Sequence, residues 1–358
     1  MEGIELLLHR AQRLEYASDE ERNEAANVVI TLDFFPLALD QAGAYIEEKG
    51  CSLGEYLQVY QIHRKVLLSR RGLQVTNYPD SVATTWSLSF QKVERANRAA
   101  AELLRLCAFL EPDSIPVDLI SKGSAYLGLI LRRAARNVFT LNEAIEELRR
   151  FSLIQRDDET KMLYMHHLVQ AVLKDGTKKR SQYQWAKRAL QATSAAFPEK
   201  VDMETWLRCQ YYLPPAQSCT HLIQEYALDC HEATSLLHRT ANYLQEHALY
   251  ELAASLYYQA LRIRIQTLGP HHPDVAKSLH NLASLHSRQG NLAQAELLYQ
   301  QALRILESAL GSDSTQAGYA LNGLLNLYYK EERYEKQSCY TSESCGFGNK
   351  LWGQTILI

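Results

Sequence analysis

The side chains best suited to chemistry are the 12 histidines, the seven cysteines and a few adjacent carboxylates, and their spacing limits what they can do. A zinc-protease helix needs His-Glu-x-x-His, but His231-Glu232 has Ser235 where the second histidine belongs. His271-His272-Pro273 reads as a turn between two helical segments rather than a metal site. No two cysteines stand two residues apart, as a zinc ribbon or a dithiol motif requires, and none has the surroundings of a thiol-protease nucleophile. Asp157-Asp158 fall in a polar turn, where solvation is the expected role. A phosphate-cradling loop needs G-x-x-x-x-G-K-S/T, so that backbone N–H groups and a lysine surround the phosphates. None of the 16 glycines is followed by lysine, and no hydrophobic strand ends in paired acids that could hold Mg²⁺. The expectation is a chain with no catalysis and no metal of its own.

The chain has 358 residues, 46% of them hydrophobic and 22% charged, with a net charge of −3. That composition excludes wholesale disorder and provides no long-range field to gather nucleic acid or anionic membrane. No apolar run approaches the ~18 residues needed to span a bilayer, and no signal-peptide core opens the chain. A soluble cytoplasmic protein with reduced thiols and no membrane partner is expected. Only 16 glycines and nine prolines punctuate segments rich in Leu, Ala, Arg, Glu and Gln. These are good helix formers, so the fold should be mainly α.

The elements that would position a binding surface repeat. Leu256-Tyr257-Tyr258-Gln259-Ala260-Leu261-Arg262-Ile263 returns as Leu298-Tyr299-Gln300-Gln301-Ala302-Leu303-Arg304-Ile305, an offset of 42. Leu268-Gly269 returns as Leu310-Gly311 at the same offset. In the central unit Leu279, Leu282, Ala283 and His286 share one helical face, Gly290-Asn291 breaks the helix, and Leu292, Ala295, Tyr299 and Ala302 line the inner face of a second. Small residues allow close approach while the tyrosine fills the gap between helices. The order of Ala283, Ala295, Tyr299 and Ala302, repeated as Ala241, Ala253, Tyr257 and Ala260, resembles the tetratricopeptide repeat in its long, kinesin-light-chain-like form. The resemblance covers residues 230–337 and implies a helical solenoid whose first helices line a groove for a peptide or protein ligand. The residues expected to face that groove are Lys277, His280, Asn281, Ser284 and Arg288, then Asn322, Asn326 and Lys330. Asparagines can bond an extended backbone, and the cations favour acidic side chains or a terminal carboxylate. Beyond residue 337 helical periodicity is lost, and 338–358 reads as an irregular, non-native tail.

In the first half, helices are expected over 4–30, over 32–48 with an interruption at Pro36, and from Leu53 to about Arg71. After a linker at 72–79 come a helix capped by Asp80, a second over Asn97–Leu110 and a third over Leu141–Phe151. A hairpin of 152–156 with 161–165 and a helix from His167 complete a winged-helix pattern. Phe35-Pro36-Leu37-Ala38-Leu39-Asp40-Gln41-Ala42-Gly43-Ala44-Tyr45-Ile46 is similar to a stretch of bacterial NB-ARC proteins, which are STAND-type signalling NTPases ending in tetratricopeptide repeats. Ser81–Phe90 resembles the start of their winged-helix domain, and Met165-His166-His167-Leu168-Val169-Gln170 their sensor motif. The resemblance implies that Pro36 packs beside a nucleotide base and that His166 reaches the β-phosphate of ADP, holding a closed state. Two departures stand out: the glycine two places before the proline is Phe34, and the next residue is Phe35. The nucleotide-binding domain itself would lie upstream, so ADP or ATP would matter only if a separate domain supplied their site.

The organisation expected is therefore an ARC-like helical domain over 1–75, a winged-helix-like domain over 76–175, a helical linker over 176–229 containing a turn at Pro214-Pro215, and the repeats. The function expected is the sensor or adaptor half of a STAND-type switch. The alternative is a DNA-binding regulator, with Arg132-Arg133, Arg136, Arg149-Arg150 and Lys178-Lys179-Arg180 on phosphates. Against it, the candidate helix carries Glu143, Glu146 and Glu147, which repel phosphate, so a nucleic-acid partner is not expected.

Overall fold

The computed structural model describes residues 2–69, 81–311 and 314–330. These contain 17 α-helices and one three-stranded sheet, and the chain divides into two compact units, Met1–Ala192 and Thr193–Ile358. The mainly α fold expected from composition is the fold observed. The expected linker at 72–79 and the tail at 338–358 lie outside the described residues.

The first unit opens with α1 (Glu2–Arg10), α2 (Asp19–Thr31), α3 (Pro36–Lys49) and α4 (Leu53–Ser69). The single helix expected over 4–30 is two helices, because Gln12 turns left-handed and Ser18 starts α2 in a reciprocal capping box with Glu21. Nor does Pro36 interrupt a helix over 32–48. Asp33 and Phe34 both take left-handed φ, at 54° and 55°, which ends α2; the fixed φ of Pro36 then suits the first turn of α3. Leu7, Leu8, Val28, Val29, Leu39 and Ile46 form the core of these helices. At Gly43 a Cβ would stand 2.7 Å from Cβ of Arg10, so only glycine permits this approach of α1 to α3.

Next come α5 (Val82–Ala96), α6 (Arg98–Cys107), α7 (Val117–Lys122), α8 (Leu129–Ala135), α9 (Val138–Arg150), α10 (His167–Gly176) and α11 (Lys179–Ala196), whose end from Thr193 onward belongs to the second unit. Ser81 caps α5, its side chain accepting from the Thr84 N–H; Asp80, the expected cap, lies outside the described residues. The expected hairpin is present as β2 (Gln155–Asp157) and β3 (Met162–Tyr164). A third strand, β1 (Ile115–Pro116), pairs antiparallel with β3 to give the order β1-β3-β2. Two residues ending in proline leave no strand periodicity to read, and proline, having no N–H to donate, suits an edge.

The second unit contains α12 (Trp206–Tyr226), α13 (His231–Glu246), α14 (Tyr250–Leu268), α15 (Pro273–Arg288), α16 (Leu292–Leu310) and α17 (Thr315–Lys330). The turn expected at Pro214-Pro215 does not exist, since both prolines lie inside α12. Burial of Tyr212, Pro215, Ala216 and Cys219 outweighs the lost backbone hydrogen bonds there. The repeat register holds: Ala241, Ala253, Ala260, Ala283, Ala295 and Ala302 are all buried, as are Tyr257 and Tyr299. Gly269, Gly290 and Gly311 take positive φ at the helix ends. Ala248, the counterpart of Gly290, adopts φ 59° without glycine's freedom. Ala295→Leu is expected to overpack this seam and cost roughly 1–3 kcal/mol. A melting curve coincident with the parent's would show that residue 295 does not sit in the contact.

Candidate functional site

The first candidate is the corner that brings Pro36 and His166 towards each other. His166 is the N-cap of α10, and its Nδ1 accepts the N–H of Leu168 at 3.2 Å. That bond leaves the ring proton on Nε2, which lies 3.5 Å from a carboxylate oxygen of Asp33. The imidazole meets the Phe35 ring edge-on at 5.0 Å between centroids and the Trp86 ring at 6.0 Å, while Phe35 and Trp86 are themselves 4.8 Å apart. The three stretches singled out in the sequence thus converge here. Burial pushes the His166 pKa down, with the Asp33 charge opposing it. Pro36 is exposed at the first position of α3, and Phe34 projects outward at 63% exposure.

The corner does not fit a phosphate. Both nitrogens of His166 already face partners, and Asp33 brings a negative charge to the place where an anionic ligand would sit. Asp113 adds a second one, 3.4 Å from Nε2 of His167 in the first turn of α10.

A G-x-S-x-G nucleophile elbow is not expected from the sequence, yet Gly50-Cys51-Ser52-Leu53-Gly54 carries its letters, which corrects that expectation. That motif works on a strand-to-helix turn with a histidine base. Here it joins two helices. Gly50 is the left-handed cap of α3, the Ser52 hydroxyl accepts the Glu55 N–H, and the Glu55 carboxylate accepts the Ser52 N–H. Ser52 thus serves as a helix cap.

The second candidate is the set of first helices of the repeats, α13, α15 and α17. Lys277 is exposed but paired with Asp274 at 2.8 Å. His280, Asn281 and Ser284, expected to be exposed, are half-buried. His280 packs edge-on against Tyr299, and the amide nitrogen of Asn281 lies 2.9 Å from Nδ1 of His238. Arg288 is no free cation, since it pairs with Glu246 at 2.8 Å. Asn322 and Asn326 are exposed, and the side chain of Lys330 lies outside the described residues. The structure adds His238, Asn242 and Glu246 to the surface; the Tyr257 hydroxyl donates to the Asn242 side-chain oxygen. The signal for all three was available. The 42-residue offset, run backwards from His280, Ser284 and Arg288, lands on them.

Stacked helical hairpins joined by small–aromatic–small seams define a tetratricopeptide array, and residues 232–308 match the tetratricopeptide-repeat family model. Residues 91–194 match the model of a domain of unknown function, DUF7779. A nucleotide-binding leucine-rich repeat (NLR)-like protein of Hyaloscypha variabilis is 26% identical over 293 residues, which cover 78% of this chain and 28% of that protein. The chain therefore carries tetratricopeptide repeats in a setting similar to part of an NLR-like protein, and spans just over a quarter of that relative. A kinesin light chain with nearly identical TPR-like repeats from Podosopora anserina aligns at 17% identity and TM-score 0.40, covering 67% of this chain and 98% of its own. A STAND protein with a tetratricopeptide sensor from Pyrococcus horikoshii aligns at 13% identity and TM-score 0.34, covering 87% and 59%. Both scores are low, and neither likeness bears on function here. Among the described residues no helix is long and apolar enough to cross a membrane, and no cluster of three His, Cys, Asp or Glu could hold a metal.

Proposed function

We propose that this chain is a cytoplasmic interaction module, the sensor or adaptor half of a STAND-type switch, which takes an extended peptide segment along α13, α15 and α17 and performs no chemistry of its own. Its single strongest support is the polar lattice on those helices. His238, His280 and Asn322 form one row at the repeat offset, and Asn242, Ser284 and Asn326 form a second. Hydrogen bonds within the fold occupy much of the upstream end, whereas Asn322 and Asn326 remain exposed. The peptide is expected to engage the downstream end, where side-chain amides can pair with its backbone. Nucleotide, where it acts, is handled by a separate binding domain that partners this chain. Residues 76–175 act in this reading as a winged-helix lever within the protein. Arg149 and Arg150 on α9 are paired with Glu146 and Glu147, which leaves that helix poorly suited to DNA.

The test is selection of binding peptides from a displayed library on the intact chain. Asn322→Ala with Asn326→Ala removes two hydrogen-bonding groups without touching the buried seam. At ~1 kcal/mol for each lost bond, the selected peptides should bind roughly tenfold to a hundredfold more weakly, with the melting temperature unchanged. Peptides that bind both proteins equally would place the interaction elsewhere.

A further inference from the structure

We infer that Asp33 stands where the histidine of a nucleotide-sensing corner would meet a phosphate, so that this chain closes the corner with its own carboxylate and neither needs nor admits nucleotide there.

Four observations carry this beyond the reading of the repeats. First, His166 has no nitrogen left to offer: Nδ1 accepts the Leu168 N–H, and Nε2 faces Asp33. Second, the N-terminus of α10, where unpaired N–H groups favour an anion, is flanked by two carboxylates from elsewhere in the unit. Asp33 comes from the α2–α3 corner and meets His166; Asp113 comes from the turn after α6 and meets His167. An incoming phosphate would face both. Third, the corner that presents Asp33 is held against its backbone preference. Asp33 and Phe34 are consecutive non-glycine residues at positive φ, a conformation that L-residues adopt at a cost. It persists because Leu32 is fully buried just before it and Phe35 is pinned against Trp86 and His166 just after it. Fourth, the position of the resembled glycine is filled by the outward ring of Phe34. The closed corner thus ties α2, α3, α5 and α10 together without a ligand.

Ring NMR of His166 in the full chain tests this. The groups that act on its titration are Asp33, His167 and Asp113. Asp33→Asn keeps the shape and removes the charge that opposes burial, so the pKa of His166 should fall further while the chain stays folded. Millimolar ADP or pyrophosphate should leave the wild-type ring signals unmoved. An unchanged His166 titration in Asp33→Asn would show that Asp33 is not its partner. A saturable shift of the wild-type signals with either phosphate compound would show that the corner admits the ligand. Either result overturns the inference.

Discussion

Arg239→Ala is expected to be the most damaging single substitution in the second unit, costing about 3–4 kcal/mol. Arg239 lies on α13, is buried, and makes no salt bridge among the described residues; instead its guanidinium closes the end of α11. Nη1 donates to the carbonyls of Phe197 at 2.7 Å and Pro198 at 3.4 Å. Nη2 donates to the carbonyl and hydroxyl of Ser194 at 2.9 and 2.8 Å, and Nε to the carbonyl of Ser235. The last carbonyls of a helix have no partner within it, and a buried acceptor left without a donor costs about 1–3 kcal/mol. Alanine would strand several at once and leave a void beside the Phe197 ring, over which the guanidinium sits at 5.9 Å. Lysine should recover only part of the loss, because one ammonium cannot reproduce a planar fork of donors. Urea unfolding of the two variants measures this. An alanine variant as stable as the parent would mean that the cap does not hold these helices together.

Acid should weaken the same unit through His238. Burial, followed by the charges of Arg264, Arg239 and Lys277, pushes its pKa down to about 4 from 6.5. The folded chain therefore binds fewer protons at this site than the unfolded chain between those values. The stabilising contribution is complete above pH 6.5 and is lost as pH falls through 4. A shift of that size corresponds to about 3 kcal/mol. The amide nitrogen of Asn281 works in the same direction, since it faces Nδ1 as a donor. Burial also lowers the pKa of His280 and His166, so the whole chain will lose stability in acid, and the difference between parent and variant isolates this residue. His238→Asn, which places asparagine where the third unit has Asn322, should flatten the fall in stability between pH 6.5 and 4. An unaltered pH profile in that variant would contradict the shift.

The repeat register was legible because its cause is local. Ala283, Ala295, Tyr299 and Ala302 lie within one hairpin, and their sizes specify the packing distance whatever surrounds them. The mainly helical class followed from composition for a similar reason, since intrinsic helix preference acts residue by residue. Local rules misled where a distant contact outweighed them. Pro214 and Pro215 look like a turn by their own preferences, yet they lie within α12, whose buried face holds it helical. The same limit applied to charge. Arg288 reads as a free cation on a helix face, but only the folded chain brings Glu246 to it. The partner of Lys277, Asp274, by contrast stands three residues earlier on the same helix and was legible in the sequence. At the first corner, the family resemblance implied a histidine that reaches a phosphate. Nothing in the order of residues joins Asp33 to His166, because the helices between them carry the two together only once their apolar faces are buried. Sequence alone determined which hairpins repeat and which positions within them are small or aromatic, because those properties belong to each residue and its near neighbours. Tertiary structure alone decided which of the polar groups remain free for a partner, because a charge or an imidazole is satisfied by whatever folding places within a few ångströms of it, however far away in the chain.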